Sequence, residues 1–395
     1  MKSAEKRGLE VITIVGIIFA IVFQVAGCAD NPAGNQGTTT TADNIALKTP
    51  VSQAGTGNVT KLKTVSVVDR QGIGTEAFSM LVPVDWQFEG GIRWVLDNPG
   101  MPAVSSFKVS NPKSKELFEL YPSQAFFWTD NQLTAQLFPV GSKYFGNEVR
   151  QLVSTSQAIR DIVIPRMRPS VTGLKVISEG ALSDTGGGQQ QSLLKTTHEG
   201  WKMRIEYNEG GVAYEDEIYC AIDATYYPFQ SMFGTTTNIV WYINNIASFR
   251  AEKGKLDASG RIFQTMAYSI KLNLKWFNKY VQVIEYLIKQ QIQQIKTIGE
   301  LGSIIAKTGD EIRQENIQLY NEQQARSDAN AENFSNYIRG VDKYYDPLKG
   351  ENVELPSGCD NVWTNNLGEY VLAESPSYNP NIGSNLNWQP VPRAK

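Results

Sequence analysis

The stretch MRIEYNEGGVAYEDEIY, Met203–Tyr219, decides the predicted fold class because it carries the clearest strand pattern in the chain. Its first arm places Met203, Ile205 and Tyr207 at alternate positions, with polar side chains between them. Alternation at a period of two is typical of a strand that buries one face. The NEGG sequence supplies a turn, and the alternation resumes after it. The stretch therefore predicts an antiparallel hairpin with a core face and a polar face.

Similar runs extend from Thr64 to Tyr227, rich in Val, Ile, Phe, Tyr and Trp and broken by Gly, Pro, Asn and Asp. Short runs separated by repeated turn residues predict antiparallel strands. One helical stripe lies between them, TSQAIRDIVIPRMR at residues 155–168, and we expect Pro165 to end it. The fold class predicted for residues 62–237 is α+β, a mainly antiparallel sheet domain with one helix.

The hydrophobic period changes beyond the sheet domain. From Ile262 to Ile295, apolar residues recur at intervals of three and four, which predicts one amphipathic helix of at least thirty residues. A second helix is predicted from Asp310 to about Val341, after a bend that contains glycines. Residues 238–345 are therefore predicted to form a long helical hairpin. The isoleucine stripe packs either within the chain or against a second copy as a coiled coil.

The last segment, residues 346–395, has turn residues every few positions and several Tyr and Trp side chains, but no long periodic run. Aromatic rings are too apolar to remain in water and usually pack on a folded domain. We therefore expect a docked aromatic tail.

The amino-terminal segment has the organisation of an export signal. Three basic residues precede the apolar run Val11–Phe23, whose thirteen residues suit a signal peptide better than a spanning helix, which needs about 20. Residues 29–61 contain mostly Asn, Gly, Thr, Gln and Ser, a composition that stays flexible. We predict a signal peptide over residues 1–27 and a tether over residues 28–61.

The four residues Val25-Ala26-Gly27-Cys28 resemble the lipobox of bacterial lipoproteins. The resemblance implies cleavage before Cys28, acylation of Cys28 with lipid chains such as palmitate, and a place on the extracytoplasmic face of the cell membrane. Membrane lipid is then a partner through Cys28, since two or more acyl chains hold a protein stably. An uncleaved signal anchor with an incidental cysteine is the alternative.

Two further resemblances concern the folded body. The stretches AFSMLVPVDWQFEGGIRW and FELYPSQAFFW resemble the PsbP-like superfamily over about residues 64–225. This resemblance implies a binding or assembly module and carries no catalytic motif. The blocks PSGCDNVWTNNLGEYVL and SYNPN resemble the carboxyl-terminal segment of uncharacterised secreted proteins and lipoproteins of Gram-positive bacteria. No activity is implied by that second resemblance.

Composition excludes several kinds of function. Lys and Arg number 37 against 40 Asp and Glu, and the basic residues are scattered, so we expect no nucleic-acid partner. The single histidine, His198, excludes a His-rich metal site, and its HEGW context predicts a turn histidine rather than a catalytic one. We expect no metal and no cofactor. Two cysteines remain besides Cys28, and Cys220 and Cys359 form either one disulfide or two thiols.

The Met203–Tyr219 hairpin also offers paired carboxylates, which are all that a glycosidase needs. On a strand, Glu215 and Glu217 share a face and Asp216 points the opposite way, while Glu206 lies across the hairpin. Alternating acidic residues are more commonly the solvated face of an amphipathic hairpin, which is the interpretation favoured here.

These patterns favour a membrane-anchored extracytoplasmic lipoprotein that acts as a non-enzymatic binding or structural interaction module at the cell envelope. Its partner would be an envelope protein or a glycan. Exposed Trp and Tyr rings could stack on sugars, although core packing accounts for such residues equally well. The alternative function is an envelope hydrolase of glycosidase type that uses the carboxylates of the hairpin.

Overall fold

The computed structural model describes residues 59–182, 194–231, 234–321, 324–325, 341–359 and 361–394. The predicted signal peptide, the lipobox with Cys28 and nearly all of the predicted tether lie outside these residues.

The predicted α+β sheet domain followed by a long helical hairpin is wrong. Strands account for 45% of the structure and helices for 22%, and the helices are short. The strands, in chain order, are β1 (Val59–Val68), β2 (Glu76–Pro83), β3 (Gln87–Trp94), β4 (Ala103–Ser110), β5 (Leu117–Leu120), β6 (Gln124–Thr129), β7 (Lys143–Tyr144), β8 (Asn147–Val149), β9 (Thr172–Ala181), β10 (Lys195–Glu209), β11 (Val212–Ser231), β12 (Gly234–Glu252), β13 (Lys271–Leu272), β14 (Val341–Asp346), β15 (Glu351–Pro356), β16 (Asn361–Thr364), β17 (Tyr370–Ala373) and β18 (Gln389–Pro390).

The helices are α1 (Gln132–Leu137), α2 (Thr155–Ala158), α3 (Ile164–Met167), α4 (Leu256–Tyr268), α5 (Leu274–Lys289) and α6 (Ile298–Lys307), with a π-helical turn at Ile159–Val163 and a further helical stretch at residues 314–321. The helix predicted to end at Pro165 continues to Met167. The π-helical turn just before Pro165 widens the helix at the point where a proline ring would otherwise meet a carbonyl of the preceding turn.

A ten-stranded sheet forms the body of the protein. Its main path runs β3-β4-β5-β12-β11-β10-β9, and β6 continues the pairing of β12 beyond β5. The hairpin predicted at Met203–Tyr219 is confirmed, with Met203 opposite Ile218. Gly210 and Gly211 make its turn with φ of 57° and 80°, the left-handed conformations that a tight antiparallel hairpin requires. Strands β11 and β12 have 20 and 19 residues and run the length of the sheet.

A six-stranded sheet has the order β13-β2-β1-β17-β16-β18. It joins the first and last parts of the described chain, because Val59 of β1 pairs with Ala373 of β17. Within the segment predicted as an aromatic tail, Tyr370 is fully buried and Trp388 is 8% exposed.

The main core lies between the two sheets. Apolar side chains of β1 and β2, among them Val67 and Met80, pack against Phe107, Phe118 and Phe249 of the larger sheet. The rings of Phe118 and Phe249 stack with centroids 4.4 Å apart. A second core lies on the opposite face of the larger sheet, under the helical segment 155–167.

The side chain of Asp69 joins three parts of the core. Its carboxylate is fully buried and accepts hydrogen bonds from the indole nitrogens of Trp94 and Trp276, both at 3.0 Å. It also accepts from the backbone nitrogens of Gly72 and Ile73, each at 3.0 Å. One carboxylate therefore connects the end of β1 to β3 and to α5.

The continuous helix predicted from Ile262 to Ile295 is broken at β13. The Asn273 side chain accepts hydrogen bonds from the backbone nitrogens of Lys275 and Trp276, which caps a new helix at this point. The stripe packs within the chain against two clusters. Phe263 of α4 and Phe277 of α5 join the main core, whereas Leu287 of α5 joins a separate cluster beside β3.

The remainder of the predicted helical hairpin also differs from the structure. Its first fifteen residues belong to β12. Of the predicted second helix, residues 314–321 and 324–325 are helical, and residues 326–340 lie outside the described residues. Strand β14 starts at Val341, inside the region predicted to be all helical. The apolar residues of β12 follow one another closely because both of its faces are buried, and such a run does not separate strand from helix.

Candidate functional site

An open cleft of about 880 Å³ lies between the outer face of the six-stranded sheet and the β14–β15 hairpin. We call it the polar cleft. Its floor comes from β1 and β2, and its walls come from the end of α4, from β13, from the helical stretch 314–321 and from the hairpin. The lining residues used below are Thr64, Ser66, Ser79, Ser269, Lys271, Tyr320, Lys343, Lys349, Glu351, Asn352, Glu354 and Tyr370.

The floor carries hydroxyl groups because β1 and β2 alternate between two environments. Val65 and Val67 face the main core, so Thr64 and Ser66 face outward. Ser66 pairs with Ser79 of β2, which places two serines side by side on the floor. Thr64 Oγ1 donates to the carbonyl oxygen of Gly368 at 2.7 Å and is thereby held in place.

The charged residues of the walls largely neutralise one another. Lys271 Nζ lies 2.6 Å from a carboxylate oxygen of Glu351, and Lys343 Nζ lies 3.7 Å from one of Glu354. The ammonium group of Lys349 lies over the ring of buried Tyr370, 5.3 Å from its centroid. The polar cleft therefore presents no strong field of one sign to a ligand.

Hydrogen bonds to the backbone fix the other wall. Ser269 Oγ accepts from the backbone nitrogen of Leu81 at 2.8 Å and donates to the carbonyl oxygen of Met266 at 2.9 Å. Tyr320 Oη donates to the carbonyl oxygen of Leu272 at 3.0 Å. The wall is thus held rigidly relative to the floor.

Other polar side chains remain available to a ligand. Within the described part of the chain, Ser66, Ser79 and Asn352 make no side-chain hydrogen bond to another residue, although all three line the polar cleft. Two hydroxyl groups and one amide can both donate and accept hydrogen bonds. The chemistry that the polar cleft offers is hydrogen bonding to a polar group.

The acidic residues predicted as an alternative site lie elsewhere. Glu206 pairs with Lys253 at 2.7 Å, and Glu215 accepts from Arg204 at 2.6 Å. Glu217 accepts from the Tyr219 hydroxyl, and burial raises its pKa. Glu215 and Glu217 share one face of the larger sheet, as predicted, and Glu206 lies opposite Glu215 on the same face. The expected solvated face is wrong, because Glu215 and Glu217 are buried. Each glutamate has its own protein partner, and none of the three lines the polar cleft.

Asp216 points to the opposite face, as predicted, and meets a residue that the sequence did not single out. Arg168 Nη2 lies 2.9 Å from the Asp216 carboxylate, and its Nε donates to Tyr207 Oη at 2.9 Å. Ser248 Oγ donates to the same carboxylate at 2.5 Å. Arg168 and Asp216 are both buried, and their hydrogen bonds are satisfied within the protein, so this cluster fastens the helical segment 155–167 to the sheet.

The remaining predicted residues do not come together. Cys220 is buried in the second core and Cys359 is half-buried beside the six-stranded sheet, and the two are not joined by a disulfide. Burial raises the pKa of the Cys220 thiol, which makes it unreactive. The prediction of a turn histidine is wrong, because His198 lies within β10, where its Nδ1 is 2.7 Å from Asp223.

No protein-family model matches the chain, and no curated protein matches it. Every helix among the described residues is too short or too polar to cross a bilayer. These residues also contain no cluster of three or more His, Cys, Asp and Glu side chains able to hold a metal ion.

Proposed function

We propose that the protein is a membrane-anchored extracytoplasmic lipoprotein that works as a non-enzymatic binding module at the cell envelope, with the polar cleft as its ligand site. The observation that carries this proposal is the cleft itself. Its volume of about 880 Å³ lies within the range of small-molecule sites, about 300 to 1,000 Å³.

The lining favours a neutral ligand rich in hydroxyl or amide groups, such as a glycan. Lys271 and Lys343 are already paired with Glu351 and Glu354. The remaining lining charges, Lys349 and Glu76, have opposite signs, so the lining carries no net charge that would favour an ion. Ser66, Ser79 and Asn352 supply hydrogen bonds of the kind that sugar hydroxyls and acetamido groups exchange.

The test is binding of soluble, neutral β-linked N-acetylhexosamine oligosaccharides to the full-length protein, measured by titration calorimetry. Ser66→Val and Ser79→Val each remove a floor hydroxyl at a strand position that accepts valine. Each variant should weaken binding by about tenfold, the value of one hydrogen bond. Ser105→Val, a half-buried strand position outside the polar cleft, is the matched control and should bind normally.

Equal affinity in all four proteins, or no binding to any oligosaccharide, would refute the glycan assignment. Glu206→Gln and Glu217→Gln address the hydrolase alternative separately. Release of shorter sugars by the wild type that stops in these variants would favour the hydrolase.

The membrane anchor has its own test at Cys28. The intact mass of the purified wild-type protein should show a chain that starts at Cys28 and carries acyl groups, and Cys28→Ala should lack both changes. A wild-type protein that retains Met1 and carries no acyl mass would contradict the anchor without affecting the binding test.

A further inference from the structure

Four large apolar side chains stand in water around one end of the ten-stranded sheet. Three lie on the connection from β6 to β7, and the fourth lies on the β11–β12 hairpin. Their exposed fractions are 71% for Leu133, 76% for Leu137, 65% for Val140 and 58% for Phe229. We call these four residues the apolar end.

Strand register relates the two parts of the apolar end. Thr129, the last residue of β6, pairs with Asn238 of β12, and α1 begins three residues later. Phe229 pairs with Thr236, so it also extends beyond the end of β6. Strand β11 is two positions from β6, which places the two parts about 10 Å apart across the sheet.

Helix α1 does not contribute to the packing of the fold. It has no buried residue, so Leu133 and Leu137 add nothing to a core.

Charge is missing from the same segments. Between Asp130 and Glu148 the only charged residue is Lys143, and between Asp223 and Arg250 there is none. Asp130 itself accepts a hydrogen bond from the backbone nitrogen of Thr237 at 2.7 Å. Asp130 is exposed and is the acidic group of this surface, and the uncharged residues around it can leave water without the penalty of desolvating a charge.

We infer that the apolar end inserts into the interfacial region of a lipid bilayer. Separate protruding side chains can enter fluid acyl chains directly, whereas a protein partner requires a closely fitting surface. Lys195 lies over the ring of Tyr226 at 4.8 Å from its centroid, and Phe229 is three residues nearer the tip. At about 3.3 Å per residue, Phe229 reaches roughly 10 Å deeper than this cation, the depth typical of interfacial insertion.

The predicted tether is long enough for this contact. Val59 starts β1 near the β2–β3 turn, since Leu62 of β1 pairs with Pro83 at the end of β2. Strand β3 begins after this turn at Gln87, which pairs with Ser110 of β4. The same row of pairs continues through β5 to Arg250 of β12, so Val59 lies at the Arg250 end of the larger sheet. From there to Phe229 the sheet measures about 45 Å. The chain from Cys28 to Val59 spans up to about 100 Å when extended, so a lipid at Cys28 and the apolar end can share one bilayer.

The experiment uses full-length protein with vesicles of phosphatidylcholine and phosphatidylglycerol that carry a photoactivatable diazirine in the acyl chain. After illumination, mass spectrometry locates the lipid adducts. We expect adducts on peptides that contain Leu137 and Phe229. Leu367 and Ile382, exposed by 66% and 61% on other surfaces, are internal controls and should carry none.

Leu133→Gln combined with Leu137→Gln should lower adduct yield on the α1 peptide by about tenfold. This double variant should keep the wild-type unfolding midpoint, since α1 buries nothing. Leu367→Gln is the matched substitution and should leave the yield unchanged.

Each outcome decides the inference. Equal labelling of Leu137 and Leu367 would overturn it, as would absence of adducts on the apolar end. Protection of the α1 amides that grows with protein concentration in vesicle-free solution would also overturn it, since a second copy would then cover this surface. Cys28→Ala separates the inference from the lipid anchor: adducts on the apolar end in this variant support insertion whether or not the wild type is acylated.

Discussion

Replacing Asp69 with Asn tests whether the buried carboxylate holds β1, β3 and α5 together. The two residues have the same shape, but the Asn amide presents an NH₂ group where one carboxylate oxygen accepted hydrogen bonds. Trp94 contacts both oxygens, at 3.0 and 3.1 Å, so it keeps an acceptor in either orientation of the amide. The donors that face the NH₂ group lose their acceptor. In one orientation of the amide the donor that loses it is the backbone nitrogen of Gly72, and in the other orientation the donors are the backbone nitrogen of Ile73 and the indole nitrogen of Trp276.

One buried donor without an acceptor costs about 1 to 3 kcal/mol, and hydrogen bonds to a charged group are stronger than those to a neutral amide. We therefore expect Asp69→Asn to lower the free energy of unfolding by about 3 kcal/mol and Asp69→Ala by about 5 kcal/mol. Trp276→Phe removes a single donor and should cost less than either substitution. The rank order of the three losses of unfolding free energy is as informative as their magnitudes.

Urea unfolding followed by tryptophan fluorescence measures all three variants, and Asp85→Asn is the matched control. The Asp85 carboxylate is largely exposed and pairs only with Lys113 at the surface, so its loss should leave the urea midpoint at the wild-type value. If Asp69→Asn behaves like Asp85→Asn, the carboxylate does not stabilise the core and the argument from its hydrogen bonds is refuted.

Three further predictions concern single positions. Burial raises the pKa of Glu217 above its ordinary value of 4.5. The stability that the protonated carboxyl contributes is therefore present below pH 4.5 and is lost as pH rises through the folded pKa. Glu217→Gln should reduce the fall in the free energy of unfolding between about pH 4 and pH 8, and an unchanged pH profile in chemical unfolding would contradict this. Gly72→Ala should destabilise the protein by at least about 2 kcal/mol, because its Cβ would lie 2.0 Å from Trp94 Nε1. Gly302 is a helical position with open space around it, so Gly302→Ala should stabilise the protein by about 0.5 to 1 kcal/mol. Similar urea midpoints for the two variants would show that local space does not decide the outcome. Phe145→Asn should raise the free energy of unfolding by about 1 kcal/mol by relieving the left-handed backbone at the β7–β8 turn, and a lower urea midpoint would show that the Phe145 ring contributes more than its backbone costs.

Local patterns in the sequence identified local structure well. The hairpin at Met203–Tyr219 follows from alternation and two glycines, and the opposite directions of Asp216 and Glu217 follow from strand geometry alone. The prediction of one long helix was wrong because the apolar stripe continues through Asn273, the residue that caps the second of two separate helices. Apolar spacing does not indicate which surface each of the two helices buries.

The polar cleft could not be predicted from the sequence. Its floor comes from Ser66 and Ser79 and its walls from Lys343 and Glu351. They are brought together because the β14–β15 hairpin packs Tyr344 and Leu355 on the outer face of the six-stranded sheet. Each of these polar residues is ordinary in its own segment, and none belongs to a motif. The same holds for Arg168, whose importance depends on Asp216 and Ser248 in distant strands.

The pairing of β1 with β17 also determines when the protein can fold. Strand β1 lies between β2 and β17, so one of its edges has no partner until β17 has been synthesised. Contacts between such distant parts of a chain form slowly, and an unpaired strand edge attracts other chains in the meantime. A chain that ends before residue 370 would therefore leave one edge of β1 unpaired. The six-stranded sheet can form completely only after β17 has been synthesised.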